Sequence, residues 1–303
     1  MSYFFTSMDR NHDLLESIRA GLSAVLGEVT ELRWIRNLPG GDINRAALIC
    51  SGSTNWFLKY HQGAPEGMFA AEALALMEIS QTGCIRVPSP VAHGSDGSTA
   101  WLVLEYLQLT PSGSAERLGE QLAAMHKVNH ARYGWPRGNY IGTTAQLNTG
   151  SDDWAVFWRD CRLKPQLTMA QTAGYGARLS NSGEQLLQSM EQLMDGHQPD
   201  AALLHGDLWA GNKAFITDGQ PVLFDPASYH GDRETDIAMT ELFGGFEADF
   251  YSAYRAHFPL PDGYGLRRDL YNLYHILNHL NLFGGAYLSR AENMISKLLA
   301  QIR

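Results

Sequence analysis

The hydrophobic positions change period part-way along the chain. After a helical pattern from Asp13 to Leu26, the segments Thr30 to Asn37, Arg45 to Ser51 and Asn55 to Tyr60 read as short strands broken by glycine-bearing turns, which predicts an antiparallel meander. Glu66 to Ile79 reads as a helix, followed by a proline-containing stretch, VPSPVAHG, and TAWLVLEYL reads as a buried strand. From Ala115 onward the helical period dominates. Leu118, Leu122 and Met125 share one face, and further helices are predicted at Asp153 to Thr172, Ser182 to Met194 and Arg267 to Phe283. One β feature interrupts them: KAFI and PVLFD flank a TDGQ turn, and Asp-Gly favours a tight reversal between apolar strands. This order predicts a two-lobed α+β chain, with an antiparallel sheet plus helix in residues 1–105 and a mainly α-helical lobe in 106–303. The hinge is expected near Tyr106.

Composition narrows the classes of function. A chain of 303 residues that is 45% hydrophobic can bury a large core. Its formal net charge of -9, with no long basic run, argues against a nucleic-acid partner. The N-terminus lacks a basic region followed by a long apolar stretch, and no apolar run approaches bilayer-spanning length, so no membrane association or export is expected. Cys50, Cys84 and Cys161 lie far apart without a CxxC pairing, which points to a reducing cytoplasm and away from zinc or a disulfide framework.

The chemistry gathers around the hairpin. In LLHGDLWAGNKAFITDGQPVLFDP, Asp207 and Asn212 flank a loop before the first strand and Asp225 follows the second, so the reversal returns Asp225 toward the other two. Three oxygen-bearing side chains so placed suit Mg²⁺, a hard cation that takes one or two carboxylates plus phosphate oxygens. Asn212 and Asp225 are the candidate ligands, and Asp207 is the candidate base that accepts a substrate hydroxyl's proton as the bond to a γ-phosphate forms. The plain alternative is a turn-capping Asp207 and a strand-closing Asp225. His205 is expected to orient the loop.

Upstream, Lys59 ends the WFLK strand, and Glu72 shares an apolar stripe with Met68, Leu76 and Ile79. A carboxylate in that stripe needs a cation, and Lys59 is in position to supply one while reaching a nucleotide's phosphates. Taken alone, the two could equally be an edge-strand charge and a residue at the stripe margin. The PGGDIN turn places Gly40, Gly41, Asp42, Ile43 and Asn44 between two strands, where backbone amides can approach an anion, although Gly-Gly-Asp is also ordinary hairpin chemistry. LVLEYL is a natural place for backbone groups to meet an adenine edge. Asp232, Glu234 and Asp236 are expected to cap the next helix. Trp34, Trp101 and His279 are expected to pack in the core.

With these residues placed, the chain resembles the fructosamine kinase (ketosamine kinase) family of the protein-kinase-like and aminoglycoside-phosphotransferase-like superfamily, through LLHGDLWAGN, FDPASYHGDRETDIAMTELFGGF and the early GGDIN turn followed by FLK. The resemblance implies a protein-kinase-like fold using ATP and Mg²⁺, with Asp207 as base, Asn212 and Asp225 on the metal, Lys59 on the phosphates and Glu72 as its partner. It further implies that Glu105, Tyr106 and Leu107 form the adenine-binding hinge and that Gly40 to Asn44 cover the phosphates. The implied reaction is phosphorylation of the 3-hydroxyl of ketoamines, either small molecules or glycated lysines on proteins. Another small-molecule kinase of the superfamily, or an inactive nucleotide-binding scaffold, are the alternatives.

Overall fold

The computed structural model describes residues 7–29, 31–39 and 43–302. Strands β1 (Arg33–Leu38), β2 (Arg45–Ser51), β3 (Thr54–Gln62), β4 (Pro90–Ser95) and β5 (Thr99–Glu105) form one antiparallel sheet in the order β1-β2-β3-β5-β4. Ala46 to Cys50 are all buried, as a continuous apolar run must be when both faces of its strand are covered. The proline-containing stretch supplies, from Pro90 onward, the edge strand β4. Proline stands at its first residue, where a missing N–H costs no interior ladder bond.

Helix α1 (Ser7–Leu26) lays Leu14, Ile18 and Leu22 against Trp101, whose indole Nε1 donates to Ser17 Oγ at 3.0 Å. Trp101 is therefore a core residue. Trp34 is only half-buried and donates to Asn37 Oδ1 at 3.1 Å. Helix α2 (Met68–Gln81) buries Phe69, Leu76 and Ile79 in a core continuous with Leu102 and Leu104 of the sheet and with Leu203, Leu208 and Leu223 of the second half. Apolar packing thus runs unbroken from α2 into the helical half.

That half contains α3 (Ala115–Met125), α4 (Trp154–Trp158), α5 (Lys164–Thr172), α6 (Ala177–Gln188), α7 (Met190–Met194), α8 (Glu234–Leu242), α9 (Ala248–His257), α10 (Tyr264–Phe283) and α11 (Leu288–Gln301). The expected stripe of Leu118, Leu122 and Met125 is fully buried. The single helix predicted from Asp153 is capped by the Asp153 carboxylate, which accepts from Val156 N at 2.8 Å, and passes from α4 to α5 through a π-helical turn at Arg159–Leu163. The helix predicted at Ser182 begins earlier and breaks at Ser189.

Short strands stitch these helices together: β6 (Leu109–Thr110), β7 (Asn129–His130), β8 (Asn139–Ile141), β9 (Thr144–Gln146), β10 (Ala201–Leu203), β11 (Lys213–Ile216), β12 (Pro221–Leu223) and β13 (His230–Gly231). The expected hairpin is β11–β12, with Lys213 opposite Leu223 and Phe215 opposite Pro221. None of the helices among the described residues is long and apolar enough to cross a membrane.

Candidate active site

The loop after β10 is fixed by its backbone. Gly206 has φ +83°, and a Cβ there would lie 2.2 Å from the carbonyl oxygen of Ala227, so neither the conformation nor the space admits a side chain. Asp236, in the first turn of α8, accepts from the amides of His205 at 2.7 Å and Gly206 at 2.8 Å and from His126 Nε2 at 3.1 Å. Burial would raise its pKa, but His126 and these amides hold it below the ordinary carboxylate value. The cap at this helix falls instead to Asp232, whose Oδ1 accepts from Glu234 N at 3.0 Å, while Glu234 pairs with Arg267 at 2.7 Å.

His205 performs the orienting role expected of it. Its buried ring is held neutral by desolvation, donates from Nε2 to Phe224 O at 3.0 Å and accepts the Asp207 amide on Nδ1 at 3.3 Å. Beyond it, Asn212 Nδ2 donates to Asp207 O at 2.8 Å and to Asp207 Oδ2 at 3.2 Å. With its amide nitrogen so committed, Asn212 turns its Oδ1 away as an acceptor. The hairpin brings Phe224 N to Asn212 O at 3.1 Å, so Asp225 starts beside Asn212. Asp225 has φ +59°, a left-handed conformation that costs a residue with a Cβ about 1–3 kcal/mol and that clusters at functional sites.

Lys59 and Glu72 meet as their positions on β3 and α2 predict. Lys59 Nζ lies 2.7 and 2.9 Å from the two Glu72 oxygens and 2.8 Å from Asp225 Oδ1. Burial alone would depress the ammonium's pKa, but Asp225 and Glu72 outweigh it and hold Lys59 charged, above the ordinary lysine value. Burial, aided by the charge of Asp225, also pushes Asp207 up to about 7 against the opposing hydrogen bond from Asn212.

One cleft of about 810 Å³ collects these groups. Ile43, Asn44, Lys59, Glu72, Glu105, Leu107, Asp207, Asn212 and Asp225 all line it. Asn44 Oδ1 and Ile43 O share the ring nitrogen Nδ1 of His61 at 3.2 and 3.1 Å. Gly40, Gly41 and Asp42 lie outside the described residues, as does Thr30. Glu105 turns its carboxylate to Arg86 and to Ser89 N. Leu107 lines the cleft with Glu105, whereas Tyr106 does not.

The cleft also has residues that sequence reasoning missed. Asn139 to Gly142 line it, as do Asn278, His279 and Phe283 of α10 and Met239 and Phe243. His279, expected in the core, is half-buried among the rings of Phe243, Phe283 and Tyr287 at 5.2 to 5.5 Å. Its apolar neighbours Leu282 and Phe283 line the cleft too, and that concealed it.

The two-lobed α+β fold is that of the protein-kinase-like phosphotransferases, and a buried lysine–glutamate pair lines one cleft with Asp207, Asn212 and Asp225. The fructosamine kinase family model matches residues 14–301. The chain is 42% identical over 289 residues to a probable ketoamine kinase of Synechocystis sp., covering 94% of this chain and 96% of the relative. It is 37% identical to a chloroplastic protein-ribulosamine 3-kinase of Arabidopsis thaliana, covering 91% and 86%. A solved structure of a candidate fructosamine-3-kinase from Haemophilus somnus 129PT superposes with TM-score 0.86 at 28% identity, covering 94% and 97%. The chain belongs to the fructosamine kinase family.

Proposed function

We propose that this protein transfers the γ-phosphoryl group of ATP to the 3-hydroxyl of a ketoamine, a sugar joined to an amine through early glycation. The observation that carries the reading is the meeting of Lys59, Asp207, Asn212 and Asp225 in one cleft of a chain whose relatives are ketoamine and ribulosamine kinases.

In this reading Lys59, steadied by Glu72, grips the nucleotide's phosphates, and the amides of Gly40 to Asn44 cover them. Asn212 Oδ1 and the Asp225 carboxylate offer hard oxygen donors of the kind Mg²⁺ takes, and they would hold it. Bound Mg²⁺ supplies charge neutralisation at the phosphate oxygens. Glu105 to Leu107 present backbone groups to the adenine. Asp207, held by Asn212, orients the acceptor hydroxyl and takes its proton, so the site works by positioning and electrostatics. The 3-phosphate of a ketoamine is unstable and releases the amine, which makes the activity a deglycation of small molecules or protein lysines. Three free cysteines fit action in a reducing cytoplasm.

ATP consumption by the purified protein with magnesium tests this, comparing ribuloselysine, erythruloselysine and fructoselysine with lysine, choline and kanamycin. Turnover with a ketoamine supports the proposal and ranks the sugars. Silence on all three with turnover of choline or kanamycin would overturn the substrate.

A further inference from the structure

The β8–β9 hairpin carries polar side chains buried more deeply than any role described above requires. Asn139, Gln146 and Asn148 are 4%, 2% and 3% exposed. Asn139 Nδ2 donates to Ser228 O at 2.7 Å, and Gln146 Nε2 donates both to Ala227 O at 3.0 Å and to Asn139 Oδ1 at 2.8 Å. Asn148 Nδ2 donates to the same Asn139 oxygen at 2.8 Å. Behind them, Arg162 reaches Asn148 Oδ1 at 2.8 Å and Tyr274 Oη donates to Gln146 Oε1 at 2.8 Å. Asn139 and Gln146 thereby aim donors at the loop, while Asn148 donates within the network and to Arg137 O at 3.1 Å. Arg162 is fully buried and has no carboxylate partner among the described residues; the Tyr229 ring at 3.9 Å and the carbonyls of Leu147 and Cys161 hold it.

The loop so held directly follows Asp225. Its other face is tied by Ala227 N to His205 O at 2.9 Å, so Pro226 to Ser228 are clamped between the loop that carries Asp207 and the hairpin. The hairpin also reaches α2: Tyr140 Oη donates to Glu66 O at 2.9 Å and Arg137 to Gly67 O at 3.5 Å, just before that helix begins. At its tip Gly142, with φ +63°, approaches Ile43 so closely that a Cβ would lie 2.6 Å from Ile43 Cδ1.

We propose that the β8–β9 hairpin is a brace that fixes α2, with its Glu72, and the loop after Asp225 in one relation, and that Asn139 and Gln146 are the positioning residues for the metal-binding carboxylate. The inference rests on the metal role proposed for Asp225. Neither residue need touch the reacting atoms; both act through the carbonyls of Ala227 and Ser228. Partners of this kind behind a metal ligand are worth about 10–100-fold in affinity or activity.

The test uses the full chain with Asn139→Ala and Gln146→Ala, and with Tyr274→Phe as a milder change that deletes one hydroxyl at the network's inner end. Mn²⁺ bound with a non-hydrolysable ATP analogue, read by electron paramagnetic resonance, reports the site without turnover. The two alanine variants should bind Mn²⁺ about tenfold more weakly and lose about 10–100-fold in kcat, with Tyr274→Phe showing the same signs at a few-fold. In Gln146→Ala and Tyr274→Phe, whose side chains do not line the cleft, the KM for ketoamine should stay within about threefold of wild type. Variants that melt earlier yet keep wild-type Mn²⁺ affinity and kcat would overturn the brace. If the alanine variants fail to fold, wild-type Mn²⁺ affinity and kcat in Tyr274→Phe would overturn it equally. A wild-type protein that binds the Mn²⁺–nucleotide pair but phosphorylates no ketoamine would refute the substrate and leave Mn²⁺ affinity to decide the brace.

Discussion

Removing Glu72 isolates one part of the site whose energetics can be worked from geometry. In Glu72→Ala, Lys59 loses two oxygens at 2.7 and 2.9 Å while remaining 4% exposed itself. Breaking a buried ion pair from one side costs about 3–5 kcal/mol, because an uncompensated charge stays behind. Here Asp225 still faces the ammonium at 2.8 Å, but its side chain is 42% exposed, so water screens part of what it returns. Crediting Asp225 with about half of the lost interaction leaves a destabilisation of about 2 kcal/mol, which for a chain of 303 residues lowers the melting midpoint by about 3 °C. A second effect concerns function: the ammonium, left with Asp225 alone, competes with phosphate and metal for that carboxylate. The KM for ATP should rise about tenfold, equivalent to about 1.4 kcal/mol. Thermal unfolding of the ligand-free protein and an ATP titration at saturating acceptor measure the two effects. An unchanged midpoint together with an unchanged KM would show that Glu72 does not hold Lys59 in solution.

Asp207→Asn should keep the fold and ATP binding while turnover falls by about 10²–10⁴, since an amide cannot accept the proton; near-normal turnover removes Asp207 from that role. The same carboxyl sets a pH sign: it is raised from 3.8 to about 7, so wild-type kcat/KM should climb as pH rises through about 7. The stability it contributes is complete below 3.8 and is lost as pH rises through about 7, so Asp207→Asn should raise the melting midpoint at pH 8 and leave it unchanged at pH 3. Asp225→Ala should weaken metal–nucleotide binding as well as rate, and an unaltered magnesium dependence would count against Asp225 as a ligand.

The parts of the site that were legible in the sequence are those whose partners obey a local period. Glu72 was legible because a carboxylate at the spacing of Met68, Leu76 and Ile79 stands out, and Asp225 because a tight hairpin has one geometry. The amides of β8 and β9 were not. Strands of three residues carry no period, and Asn139 meets Ser228 across 89 positions of chain. Asp236 misled for a different reason. An acid in the first turn of a helix is ordinary capping chemistry, and only the fold reveals that its oxygens serve His205, Gly206 and His126. Pro90 hid β4 because proline opposes a strand everywhere except at such an edge.

Those long-range hydrogen bonds hold the segment that follows Asp225 in place. Between Asp225 and β13 stand only Pro226, Ala227, Ser228 and Tyr229, a connection too short to fold away from the cleft and inexpensive to close in entropy. In kinases whose corresponding segment is long, an added phosphate orders it by pairing with arginine. Here the ordering charge is intrinsic: Arg162 stands buried behind the amides, and Asp236 stands behind the loop that carries Asp207. Ser228 is fully buried and Thr235 is 4% exposed, so the hydroxyls nearest this connection cannot meet a modifying enzyme while the protein is folded. The relative placement of Asp207 and Asp225 thus rests on contacts made within the folded chain.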